Sequence, residues 1–140
     1  MRLRTWLNQR TCRIGYPKAG EADVFAVSLA TWWADSKGLL SADGQRLAQL
    51  TDGQLQAAGR ADAQLYRRPA AISRTGRIRA IGPTAAAKLL YFARPLSVTA
   101  WDKAISARTG RGNDEAAFLR HLTACRSWAR DLEGEAGRLG

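Results

Sequence analysis

Two short stretches hold residue types that can do chemistry. Ile81-Gly82-Pro83-Thr84 is a Gly-Pro turn running into an alanine-rich segment, Thr84 to Arg94, that stops at Pro95. A turn at a helix start points backbone N–H groups and the positive end of the helix dipole at an anion. Gly82 leaves room for a phosphate to approach the backbone, and Thr84 can cap the helix or touch that phosphate. Arg77, Arg79 and Lys88 flank the turn with positive charge. The second stretch is Thr99-Ala100-Trp101-Asp102-Lys103, where a carboxylate stands just inside the start of the next helix. Thr99-x-x-Asp102 has the form of a capping box, in which the acid satisfies the first amides of a helix. Taken alone, each stretch also fits an ordinary helix start.

The charge around these stretches raises the anion reading. The chain has 140 residues and a net charge of +10, and 18 of its 22 cations are arginine. Arginine forks onto phosphate and stacks on bases, whereas lysine acts more as a point charge. An arginine-rich, alanine-rich coding bias would raise the same counts. Placement is the more specific signal. Residues 60–79 carry six arginines, Arg60, Arg67, Arg68, Arg74, Arg77 and Arg79, against one acid, Asp62. Residues 103–111 add Lys103, Arg108 and Arg111 with no acid. A phosphate-facing surface needs such clustering, because several phosphates must be neutralised together; a solvated face carries charge runs too.

Other chemistries find little support. The two cysteines, Cys12 and Cys125, belong to no metal-ligand pattern, so neither a zinc site nor an iron–sulfur cluster is expected. Buried thiols are the simpler expectation for them, with a disulfide the alternative. His121 is the single histidine, and no nucleophilic triad or dinucleotide fingerprint is present. No cofactor and no metal are expected. The basic N-terminus lacks an apolar core, and the longest apolar run, Val24 to Ala34, is too short to span a bilayer. The expectation is a cytoplasmic, nucleoid-associated protein without a membrane partner.

The elements that must position these residues read as helices. Glu21 to Asp35 has helical apolar spacing at Val24, Phe25, Leu29, Trp32 and Trp33, with Gly38 as a stop. Ser41 to Leu50 reads as a short helix or helical turn. Thr51-Asp52-Gly53-Gln54 is a capping box, and Gly59 is expected to close the helix it opens. Thr84 to Arg94 follows Pro83 and ends at Pro95. Thr99 to Thr109 stops at Gly110. Asn113 is expected to cap a long helix with apolar positions Phe118, Leu119, Leu122, Cys125, Trp128, Ala129 and Leu132, frayed by Gly134 and Gly137. Trp32, Trp33 and Trp128 are assigned to the core. The segment 72–81 alternates in part around Thr75-Gly76, which fits a β-hairpin; a short irregular helix and loop is preferred because its flanks are helical.

Ile81-Gly82-Pro83-Thr84-Ala85-Ala86-Ala87-Lys88-Leu89-Leu90, then Arg94-Pro95, then Ala100-Trp101-Asp102, resembles the core of the helix-hairpin-helix DNA glycosylase superfamily. The likeness covers roughly residues 72–110. It implies an all-α fold, one helical domain over 1–140 with the hairpin motif at about 72–94 and the catalytic helix at 99–109. It implies double-stranded DNA as partner, held by its phosphates through Arg77, Arg79, Gly82, Thr84, Lys88 and Lys103. Asp102 would be the catalytic carboxylate, stabilising the sugar cation or steering water as a damaged base leaves, with Trp101 and Tyr91 lining the base pocket. The family's first hairpin glycine is replaced by Ala80, its Schiff-base lysine by Thr84 or Ala85, and its four-cysteine cluster is missing. The resemblance therefore implies monofunctional N-glycosidic cleavage. The alternatives are a non-catalytic helix-hairpin-helix DNA-binding protein, with Asp102 only a cap, and a helical protein-interaction module.

Overall fold

Local capping decides where the helices begin. In a computed structural model, which describes residues 2–9, 12, 14–108 and 114–140, most residues are helical. Helix α1 spans Leu3–Gln9 and α2 spans Val24–Ser36, opened by Asp23, whose carboxylate accepts from the Ala26 N–H at 3.1 Å. Of the short helix or helical turn expected over 41–50, the chain forms a single 3₁₀ turn, Leu47–Gln49. Helix α3, Asp52–Tyr66, opens on the expected capping box: the Gln54 N–H donates to Thr51 Oγ1 at 3.2 Å, and Gln54 Oε1 accepts from the Thr51 N–H at 2.9 Å. Helix α4 is Pro83–Ala93 with proline in the first turn, α5 is Lys103–Arg108, and α6 is Glu115–Leu139. Asp114 caps α6 by accepting from the Ala117 N–H at 2.8 Å; the expected cap, Asn113, and the expected stop, Gly110, lie outside the described residues.

Three expectations are corrected. Helix α3 does not close at Gly59 but runs seven residues further, to Tyr66. Glycine is unfavourable inside a helix by about 1 kcal/mol relative to alanine, but here it faces α6, where an added Cβ would touch Leu119 at 3.7 Å. Packing outweighs propensity. Likewise α6 continues through Gly134 and Gly137 to Leu139. Finally, the 72–81 segment is strand, not irregular helix: β1 (Pro69–Ile72) and β2 (Ile78–Ala80) form an antiparallel hairpin with Ile72 opposite Ile78 and Ala71 opposite Arg79. The chain therefore enters the Gly82 turn from a strand.

Helix α3 packs against α2, α4 and α6. Leu55, Ala58, Ala61 and Leu65 of α3 share one core with Trp32, Leu89, Leu90, Phe118 and Leu122. The Trp32 indole N–H donates to Ala61 O at 2.8 Å, so its one polar group is satisfied inside. The buried Arg126 donates to Leu50 O at 2.9 Å and pairs with Asp52, and Arg130 reaches Ala48 O at 2.8 Å. These bonds fasten α6 to the start of α3. Trp128, assigned to the core by spacing, stands two residues from the buried Arg126, on the opposite side of α6, and is 63% exposed. No helix among the described residues is long and apolar enough to cross a membrane.

Candidate nucleic-acid interface

The hairpin closes by backbone rules. The Ser73 N–H donates to Arg77 O and the Gly76 N–H to Ser73 O, each at 2.9 Å, and Ser73 Oγ accepts the Arg77 N–H at 3.0 Å. Gly76 sits at φ +80°, the left-handed position that ends a three-residue hairpin loop. Everything from Ile72 to Ala80 is exposed. Arg74, Arg77 and Arg79 thus stand on a protruding ribbon, and among the described residues none of them has an ion-pair partner. Several arginines elsewhere are matched: Arg4 with Asp23, Arg68 with Asp35, Arg94 with Asp43 and Arg126 with Asp52. The hairpin gathers three arginines without a local counter-charge on one short exposed ribbon. At its base, the exposed Arg67 lies over the Tyr66 ring at 5.2 Å.

Gly82 joins this ribbon to α4 at φ +84°, ψ +158°, a conformation open essentially to glycine alone. The turn is pinned to the end of α3: the Gly82 N–H donates to Tyr66 O at 3.0 Å and the Ile81 N–H to Arg68 O at 2.9 Å. The Gly82 amide is therefore committed within the fold. An anion here would meet the next amides, at Thr84 and Ala85, of a helix start that no side chain caps. A Cβ on Gly82 would meet nothing within 4 Å, so the demand for glycine is conformational, not steric. Gly82→Val is expected to cost about 1–3 kcal/mol of stability through backbone strain, read by chemical denaturation. An unchanged midpoint would mean that this turn relaxes freely.

The other expected site residues separate into two places. Thr84, Lys88 and Tyr91 follow one another at helical spacing on α4, with Tyr91 exposed and Thr84 and Lys88 half-buried. Asp102 lies elsewhere, beside α6. It stands one residue before α5 as the cap itself, its Oδ1 accepting the Ile105 N–H at 2.9 Å. Thr99, the expected cap, instead buries its hydroxyl with no partner among the described residues. Trp101 is only 2% exposed, its ring centroid 6.2 Å from Phe118 and 4.7 Å from His121. Its place is the core, not the wall of an open pocket. His121, whose Nε2 lies 3.1 Å from Ala100 O, also approaches Cys125 Sγ at 3.7 Å. Lys103 is exposed at the start of α5. No hydrogen bond or ion pair among the described residues joins Asp102 to the hairpin, which leans instead on α2 through Ser28 Oγ donating to Pro69 O at 2.7 Å.

A cleft of about 620 Å³ with an aromatic lining lies between α2 and α4, with Leu29, Trp33, Leu89 and Phe92 in its walls, and Asp102, Trp101 and Tyr91 are not among them. Arg94 closes it, 5.2 Å over Trp33 and paired with Asp43 at 2.9 Å. Both cysteines are free thiols, and burial raises the Cys12 pKa against the opposing pull of Lys88. Among the described residues no group of three or more His, Cys, Asp or Glu could hold a metal ion.

One residue that the sequence reading passed over is Asp62. It is 2% exposed on α3, its Oδ1 has no partner among the described residues, and burial, reinforced by the charge of Glu115, pushes its pKa up to about 8. The periodicity of Leu55, Ala58 and Leu65 places position 62 on the inner face of a helix that is allowed to run past Gly59.

No protein-family model, curated protein or solved structure matches this chain.

Proposed function

We propose that this protein is a non-catalytic DNA-binding module that grips the phosphates of duplex DNA, without base preference, through the β1–β2 hairpin and the start of α4. The observation that carries this reading is the set of exposed arginines Arg74, Arg77 and Arg79 on a ribbon without counter-charges. Three unpaired guanidinium groups on one protrusion attract an anion bearing many charges, since each phosphate neutralised releases counterions from the duplex. The helix-hairpin-helix likeness enters this reading in altered form. Helices α3 and α4 pack together as a pair, and the connection between them is the basic ribbon in place of a tight turn. A DNA-bound, nucleoid location follows from the same proposal. The test is binding to unrelated duplexes of equal length, expected to be equally tight for all; failure to bind any of them at low salt would end the proposal.

Base excision is the second reading, and Asp102 is what favours it: a half-buried carboxylate at a helix start that leaves one oxygen outside the capping bond. The packed Trp101 beside it weighs against a pocket for an extruded base. The binding reading expects no base release by the wild type from alkylated, oxidised or deaminated duplexes. It also expects Asp102→Asn to retain DNA affinity and to lose no more than about 1 kcal/mol, since asparagine caps nearly as well as aspartate. Release of a base by the wild type that vanishes in Asp102→Asn would replace the binding module with a monofunctional glycosylase.

A further inference from the structure

Resting on the DNA-binding reading, we propose that the hairpin enters the minor groove of the duplex and that Ile72 and Ile78 act as an apolar wedge against a base step, opening it and bending the DNA. Ile72 and Ile78 are direct cross-strand partners in the ribbon, so their side chains stand together on one face. They are 53% and 59% exposed, although two β-branched aliphatic residues at adjoining positions would ordinarily be buried against a core. They sit on the rung next to the Ser73–Arg77 loop, so they reach outward with the tip of the ribbon.

Scattered apolar side chains on a surface need no explanation. What makes this pair informative is its setting. Arg74 lies in the loop, Arg77 precedes Ile78 and Arg79 follows it. Arg79 stands opposite Ala71 on the neighbouring rung, so alternation sends it to the other face of the ribbon. A lipid or protein partner for the isoleucines would have to bury or neutralise three unmatched guanidinium groups at the same time. A duplex meets both demands: its phosphates lie along the rims of the groove, and the stacking faces of its bases are apolar. Aliphatic side chains pushed between base steps from the minor groove kink DNA by roughly 20–90°, in exchange for wider contact with the protein. Isoleucine has the shape for this role, being rigid at Cβ and free of polar groups that would lose hydration.

The experiment uses the full chain and a duplex with 2-aminopurine at a TA step, the kind of step most easily unstacked. Binding is followed by anisotropy, and unstacking by the fluorescence rise of the reporter. The wild type is expected to bind and to raise the fluorescence. Ile72→Ser/Ile78→Ser is expected to bind with the same salt dependence while the rise is lost. Because serine weakens strand formation, Ile72→Thr/Ile78→Thr keeps β-branching while replacing a methyl-bearing arm with a hydroxyl; it must also lose the rise, at an unchanged circular dichroism spectrum. Wild-type binding without a rise, or a rise that persists in the threonine variant, overturns the wedge and leaves phosphate binding standing. No wild-type binding at low salt overturns the DNA reading itself, and the wedge with it.

Discussion

Raising the pH from about 5 to about 8 is expected to remove several kcal/mol of stability from this protein, and Asp62→Asn is expected to abolish most of that loss. The sign follows from proton binding. An unfolded aspartate ionises near 3.8, whereas in the fold Asp62 ionises near 8, because its burial disfavours the charged form and Glu115 adds like-charge repulsion. Between those two values the folded state holds one proton more than the unfolded state. Stability therefore falls by about 1.4 kcal/mol for each pH unit climbed, and the loss levels off above the folded pKa. Asparagine keeps the shape of the neutral carboxyl and cannot ionise, so wild type and variant should unfold alike at the acidic end and diverge as pH rises, with the variant more stable. Urea denaturation across this range checks it. Superimposable profiles for the two proteins would mean that the carboxyl is solvated or paired in solution.

The second large effect concerns the ribbon. Arg77→Glu/Arg79→Glu is expected to weaken duplex binding by about a hundredfold or more, because like charges brought together cost several kcal/mol. The loss should be uniform across sequences, since the contacts are to phosphates and not to base edges. Folding should be unaffected to within about 0.5 kcal/mol, as both side chains are exposed and unpaired among the described residues. Arg138→Glu supplies the control: it makes half of that charge change at the far end of α6, where Arg138 pairs with Glu135. Its binding should stay close to that of the wild type. A loss in Arg138→Glu about half as large on a logarithmic scale, in proportion to its charge change, would show that net charge, and not the hairpin, governs the affinity.

What could be read from the sequence was what is decided locally. The Thr51–Gln54 capping box, the proline that opens α4 and the Pro95 that follows its end stand as expected, because caps depend on neighbouring residues. The misread features depend on distant ones. Gly59 does not stop α3, because Leu119 of α6 lies against it. Extending α3 brings Asp62 onto the inner face, which is why a helix ended at Gly59 concealed the most perturbed carboxyl described. The hairpin has only three or four residues in each strand, too few for alternation to outweigh helical flanks, and the left-handed Gly76 is what selects its turn. Trp128 has the residue type of a core position, but it stands on the side of α6 opposite the buried Arg126 and faces outward. Of the candidate site, the arginines and the glycine were legible from type and clustering. The roles of Trp101 and Asp102 were not, because spacing along the chain does not reveal that Phe118 and His121 pack on Trp101 or that Asp102 itself caps α5.

The most direct test of the account is the salt dependence of wild-type binding to two duplexes of unrelated sequence. If three hairpin arginines each neutralise a phosphate, the logarithm of the binding constant should fall with the logarithm of salt concentration at a slope near −2.7 or steeper, since each contact contributes about −0.9. The two duplexes should give the same line. Binding that is absent at low salt, or present with a slope near zero, would contradict the assignment of the basic hairpin to DNA.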